Sequence, residues 1–275
     1  KELDEVVLDK VKDIEGKVYL LFDEIQLVDE WEESINSYRV SFDCDIYVTG
    51  SNSKLFSSEL STLVAGRYVH INIYPFSFKE YVLYKQISLT SLTTKAQANL
   101  KVALNDYLIQ GGFPELLIEN NKHDYVMGLL DAIIKRDITK RFKVRYPEVL
   151  QRLATYMMDN FAQEYNASTL SGLFGVTDHT IDTYCHYLQE AFLLHSVHKF
   201  SYKSRERMHG EKLYVIDPAF LSFRSNTFNT QNMGWRLENA VFIELLHRAS
   251  QTYSDVFYYR ERGFEVDFLV AKSGV

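Results

Sequence analysis

Residues 18–26 read VYLLFDEIQ, an apolar run set directly against two adjacent acids, Asp23 and Glu24. The run Val18–Asp23 is too short for a helix and too unbroken for a strand with one wet face, so it predicts a central strand of a parallel sheet. Burying an unpaired carboxylate is costly or forces it to take up a proton, which places the two acids at the strand end, where water or a cation meets them. Downstream, Trp31, Ile35 and Tyr38 recur at helical spacing, and DIYVTGSN (45–52) gives a second apolar strand ending in Thr49, Gly50, Ser51 and Asn52. Strand, helix and strand within about thirty residues make a βαβ unit with a right-handed crossover. Open α/β sheets bind ligands beyond the carboxyl edges of their strands, so Asp23, Glu24 and the polar TGSN tip form the first candidate site.

Around that core, 275 residues with 46% hydrophobic and 14% aromatic content are enough for two or three domains. A formal charge of −7 argues against a chain that coats nucleic acid or membrane as a whole and leaves room for local basic patches. Cys44 and Cys185 stand far apart and outside any metal-ligand spacing, which fits a reducing, cytoplasmic setting. No secretory leader and no apolar run long enough to span a membrane occurs, so no membrane partner is expected. The opening pattern of Leu3, Val6, Val7, Val11 and Ile14 reads as a helix from the middle of a domain.

LLFDEIQ resembles a Walker B element, VTGSNSKL (48–55) a sensor-1 strand, and residues 63–82 the segment that follows in a prokaryotic family of AAA-type ATPases. The resemblance implies an α/β fold. A partial P-loop NTPase parallel sheet would occupy residues 1–83, a helical lid 84–146, a winged helix 147–222, and the start of a restriction-endonuclease-like domain of unknown function 223–275. It further implies ATP and Mg²⁺ as cofactors of the full-length protein. Asp23 would hold the metal through a water, Glu24 would act as the base that orients the attacking water, and Ser51 or Asn52 would sense the γ-phosphate. Arg67 is either an arginine finger, serving its own subunit or a neighbour in a homo-oligomer, or a strand-edge arginine paired with an acid. The phosphate-cradling GxxxxGK[ST] loop is absent from the sequence: Gly16 precedes Lys17, but Val11 and Val18 stand where the first glycine and the hydroxyl belong. A chain truncated at both ends, inactive by itself, is therefore expected.

Past an alternating strand predicted at 68–74, apolar periodicity runs through 96–110 to the turn at Gly111 and Gly112. Lys135, Arg136, Lys140, Arg141, Lys143 and Arg145 then crowd around a single Asp137, either as a solvated helix face or as a surface turned to phosphates. Helices are predicted at 148–163, 168–174 and 178–192; in the third, Ile181, Tyr184, Cys185 and Leu188 form the buried stripe and His179, Asp182, Thr183, His186 and Glu190 stay outside. A two-stranded wing follows, with Lys199, Lys203, Arg205 and Arg207 as a basic tip able to grip nucleic acid phosphates.

In the last region, an amphipathic helix over 235–248 with apolar positions 237, 241, 242, 245 and 246 precedes two strands around Gly263. Resemblance to the nuclease core implies Glu238 and Asp267 as Mg²⁺ ligands; alternatively Glu238 is a helix-start acid and Asp267 pairs with Arg260 or Arg262. Two further function classes stand beside the ATPase: a metal-dependent nuclease with a regulatory ATPase half, and a winged-helix DNA-binding regulator.

Overall fold

The computed structural model describes residues 2–25, 28–50, 68–202, 210–223, 232–252 and 254–272. The chain forms two compact units, Lys1–Ile71 and Asn72–Val275. In the first unit, α1 (Glu2–Val11), β1 (Val18–Phe22), α2 (Trp31–Ser41) and β2 (Cys44–Val48) follow in order. The strands pair in parallel, in register from Val18 opposite Cys44 to Phe22 opposite Val48. Leu20 and Ile25 pack with Val7, Val11, Trp31, Ile35 and Tyr38, so the helical spacing read from the sequence marks the buried face of α2. The Tyr38 hydroxyl donates to Asp4 Oδ1 at 2.7 Å and ties the two helices together.

Two expectations for this region need correction. Only Leu20 of β1 is buried, while Tyr19 and Leu21 are 60% and 74% exposed, so among the described residues the strand is covered on one face rather than two. The alternating segment at 68–74 forms no strand, and Val69, Ile71 and Ile73 are exposed. Alternation produces a strand only where another edge supplies backbone hydrogen bonds, and no described residue pairs with this one.

The second unit begins with α3 (Phe78–Tyr84), whose start is a capping box: the Glu80 amide donates to Ser77 Oγ at 3.3 Å and the Ser77 amide to Glu80 Oε2 at 2.8 Å. Then α4 (Thr94–Gln110) ends at Gly111, as its periodicity predicts. α5 (Lys122–Ala132) runs on into a π-helix, Ile133–Lys140. The three helices predicted next are α6 (Pro147–Asp159), α7 (Ala167–Phe174) and α8 (Asp178–Glu190). In α8, Ile181, Tyr184, Cys185 and Leu188 are buried as expected. Glu190 is buried too, rather than outside, and His186 Nε2 reaches its carboxylate at 2.6 Å.

β3 (Leu194–Lys199) pairs antiparallel with β4 (Glu211–Val215), the strands expected as a wing. After a short helix α9 (Ala219–Ser222) and the long α10 (Met233–Thr252), β5 (Ser254–Glu261) and β6 (Phe264–Lys272) form a hairpin. Its turn residues Arg262 and Gly263 both have positive φ, 46° and 88°, as the tight turn between twisted strands requires. β5 also pairs in parallel with β3, through His198 opposite Phe257 and Lys199 opposite Tyr258, giving one sheet of order β4-β3-β5-β6. Strands assigned from the sequence to separate segments, 147–222 and 223–275, thus share a sheet; pairing between distant strands leaves no local pattern.

Along α10 the apolar residues predicted to face inward are only partly buried: Leu237 and Val241 are exposed, and Arg236 and Asn239 point into the core with Phe242, Ile243 and Leu246. The polar pair satisfies backbone groups that would otherwise be orphaned. Asn239 exchanges two hydrogen bonds with Val215, each 2.9 Å, and Arg236 donates to Leu108 O, Leu221 O and Ser222 Oγ at 2.8–2.9 Å. Asp217 does the same nearby, accepting from the amides of Gly112 at 2.7 Å and Ala219 at 2.8 Å. A Cβ on Gly111 would lie 1.8 Å from Asp217 Oδ1, so this joint has no room for a side chain.

Full burial pushes the Asp217 carboxyl up to about 7, against the pull of the amides that stabilise its anion. A raised folded value means that Asp217 costs nothing at pH below the ordinary carboxylate value of 3.8 and destabilises increasingly as pH rises toward 7. Denaturant unfolding of Asp217→Asn beside the parent should show the difference in stability between them changing by a few kcal/mol across that window and level outside it. A pH-independent difference would remove Asp217 from the titration.

Candidate functional site

The parallel register that sets Phe22 opposite Val48 carries the chain ends beyond them side by side, and the amide of Thr49 donates to Phe22 O at 2.8 Å. One residue further along each strand, the Thr49 hydroxyl donates to Asp23 Oδ1. The amide of Glu24 donates to Thr49 Oγ1 at 3.2 Å. Glu24 has φ 49°, a left-handed conformation that a side-chain-bearing residue adopts only when its surroundings impose it. The strand therefore stops at Asp23 and turns at Glu24, with both carboxylates at the carboxyl edge of the two-stranded sheet. Asp23 is exposed and Glu24 half-buried, so each is open to solvent-borne ions.

Asp23 and Glu24 are thus brought together with Thr49, the polar strand tip noted in the sequence. Ser51, Asn52 and Arg67 lie outside the described residues, as do Lys203, Arg205 and Arg207. Lys199 closes β3, its amide donating to Gly210 O at 3.2 Å.

Glu238, near the start of α10, sits in a second polar cluster. It accepts from the Tyr214 hydroxyl at 2.8 Å and lies 3.5 Å from Lys212 Nζ, which also grips Glu265. Burial raises the Glu238 carboxyl above its ordinary range, opposed by Tyr214 and Lys212 and assisted by the negative charge of Asp267. Arg260 bonds Glu164 at 3.1 Å and approaches Glu265 at 3.4 Å, and Arg262 lies 3.9 Å from Glu261, so neither forms the ion pair with Asp267 considered from the sequence. No group of three or more His, Cys, Asp or Glu side chains suited to a metal occurs among the described residues. The Lys212 ammonium lies against two of these acids, Glu238 and Glu265. Sequence reading missed Lys212, because a lysine in an alternating strand ordinarily faces water; this one is 4% exposed, with Nζ 5.3 Å above the Tyr258 ring.

Removing Lys212 leaves Glu238 half-buried without its cation and Glu265 with Arg260 alone, so Lys212→Ala should cost roughly 3 kcal/mol in denaturant unfolding. Lys135→Ala, which removes an exposed ion pair with Asp131, should cost less than about 0.5 kcal/mol. Equal losses would contradict the clamp.

Residues 1–82 match the family model described as an AAA domain, and residues 101–231 match a domain of unknown function, DUF8612. An uncharacterized protein of Haemophilus influenzae is 33% identical over 281 residues, an alignment covering 99% of this chain and 68% of that protein. Two uncharacterized proteins of Methanocaldococcus jannaschii are 34% and 22% identical over 263 and 283 residues, covering 91% and 94% of this chain. The chain spans 58% of the length of each of these two. No solved structure matches the chain. Among the described residues, no helix is long and apolar enough to cross a membrane.

Proposed function

We propose, from the premise that the chain belongs to the same family as the uncharacterized Haemophilus influenzae protein and carries an AAA domain match over residues 1–82, that the full-length protein binds and hydrolyses ATP with Mg²⁺. The observation that carries this reading is the meeting of Asp23, Glu24 and Thr49 at the carboxyl edge of a parallel sheet. Carboxylate and hydroxyl oxygens are hard donors suited to Mg²⁺ and its water shell, and the exposed Asp23 fits that group. When bound, Mg²⁺ supplies positive charge to the phosphate oxygens as negative charge builds on them.

Asp23, oriented by the Thr49 hydroxyl, would hold the metal. Glu24, placed by the turn that its amide makes with Thr49, orients the attacking water and accepts its proton. Ser51 or Asn52 senses the γ-phosphate, and Arg67 stabilises charge in its own subunit or in a neighbour's. The amides and lysine of a phosphate loop are supplied from outside these 275 residues, which hold no GxxxxGK[ST] sequence. Hydrolysis drives a nucleic-acid- or protein-directed act of the second unit, where the helices α6–α8 with β3 and β4 are read as a winged helix.

The nuclease reading has less support, because Lys212 and Tyr214 already engage Glu238. In the full-length protein, Glu24→Gln should retain ATP binding and lose roughly 10² to 10⁴ in turnover, the usual contribution of a positioned base. Steady-state phosphate release beside equilibrium nucleotide binding decides it: unchanged turnover removes Glu24 from the chemistry.

A further inference from the structure

The basic run that follows α5 divides in two once folded. Lys135 is held by Asp131 at 2.6 Å and Arg136 by Asp137 at 2.9 Å, so the first half is neutralised on its own helix. Lys143 and Arg145 are exposed, and no described carboxylate pairs with either; the Arg145 guanidinium lies 5.1 Å above the Tyr146 ring. They follow the π-helix, a rare element frequently found at functional sites. Lys143 itself has φ 48°, and the next amide, that of Val144, reaches back to Thr139 O at 3.1 Å.

Beside these cations is a cavity of about 560 Å³, walled by residues 142–146 on one side and, on the other, by the turn at Gly175–Thr177 and one side of α8 as far as Tyr187. The Tyr146 amide donates to the Tyr184 hydroxyl at 3.0 Å and fixes the two walls together. Inside, Phe142 and Tyr187 stack face to face, ring centres 4.1 Å apart and planes within 6°. Cations without acids, half-buried aromatic faces and a volume in the range of ligand pockets are the combination that unpaired nucleotides require: charge for the phosphates and π surfaces for the bases.

A duplex fits poorly. The cavity is concave, whereas a duplex is read by elements that project into its groove. We propose that this cavity binds an unpaired nucleic-acid strand, with backbone phosphates at Lys143 and Arg145 and a base against the Phe142–Tyr187 stack. The site shares no residue with the Asp23–Glu24 edge and needs no ATP.

Fluorescence anisotropy of a short labelled oligothymidylate, titrated with the full-length protein without nucleotide at several KCl concentrations, tests it. The parent should bind with a steep salt dependence, and Lys143→Ala with Arg145→Ala should flatten the slope of log K against log salt by about 1.4, near 0.7 for each single-strand phosphate that is no longer neutralised. Both side chains are exposed, so this variant should keep its melting temperature. Lys135→Ala, which removes the same charge from a paired position, should leave the slope unchanged, and Phe142→Leu should weaken binding about tenfold without altering the slope. Absence of parental binding, equal affinity for the duplex, equal competition by free thymidine monophosphate, or the same slope change in Lys135→Ala would each overturn the proposal.

Discussion

The in-register parallel pairing of β1 with β2 is the constraint on which the first unit's chemistry depends. Parallel strands begin and end on the same side, so a register that puts Phe22 opposite Val48 delivers both strand tips to one edge. A slip of one residue would turn Leu20 from the helix-covered face to the exposed one and separate Asp23 from the Thr49 hydroxyl. Core packing and site geometry are thereby fixed together: the burial of Leu20 against Val7, Trp31 and Ile35 is also what holds the acids in place.

In the second unit, a different device performs the joining. Asp217, Arg236 and Asn239 are charged or polar and buried, and each makes at least one hydrogen bond to a backbone group of a distant segment. Arg236 reaches across to the end of α4, Asn239 to β4, and Asp217 to the turn after α4. Such bonds fix loops and helix ends in one arrangement that apolar packing, which is non-directional, does not define by itself. The cost falls on the ionisation of Asp217, whose carboxyl is displaced far upward by the same burial.

Periodicity made the helices legible: Trp31, Ile35 and Tyr38 in α2, and Ile181, Tyr184, Cys185 and Leu188 in α8, are buried as their spacing demands. Acids after an apolar strand made the meeting of Asp23 and Glu24 with Thr49 legible, because charges that follow such a run stay at the strand's open end. What the pattern missed has a common physical cause. Arg236, Asn239 and Lys212 are buried polar residues, and their burial depends on partners elsewhere in the fold. The parallel pairing of β3 with β5 is likewise set by tertiary placement, and the alternation at 68–74 found no described edge to pair with. Local sequence reports which face prefers water; it does not report which distant group will compensate a polar side chain once that face is covered.

The claim that the β1–β2 edge holds a metal-bound triphosphate is tested most directly by equilibrium binding of a slowly hydrolysed ATP analogue to the full-length protein, with and without Mg²⁺, for the parent and for Asp23→Ala. The account predicts that Mg²⁺ tightens binding to the parent and that Asp23→Ala abolishes most of that gain while the melting temperature holds. An analogue bound with the same Mg²⁺ dependence by both proteins would contradict it.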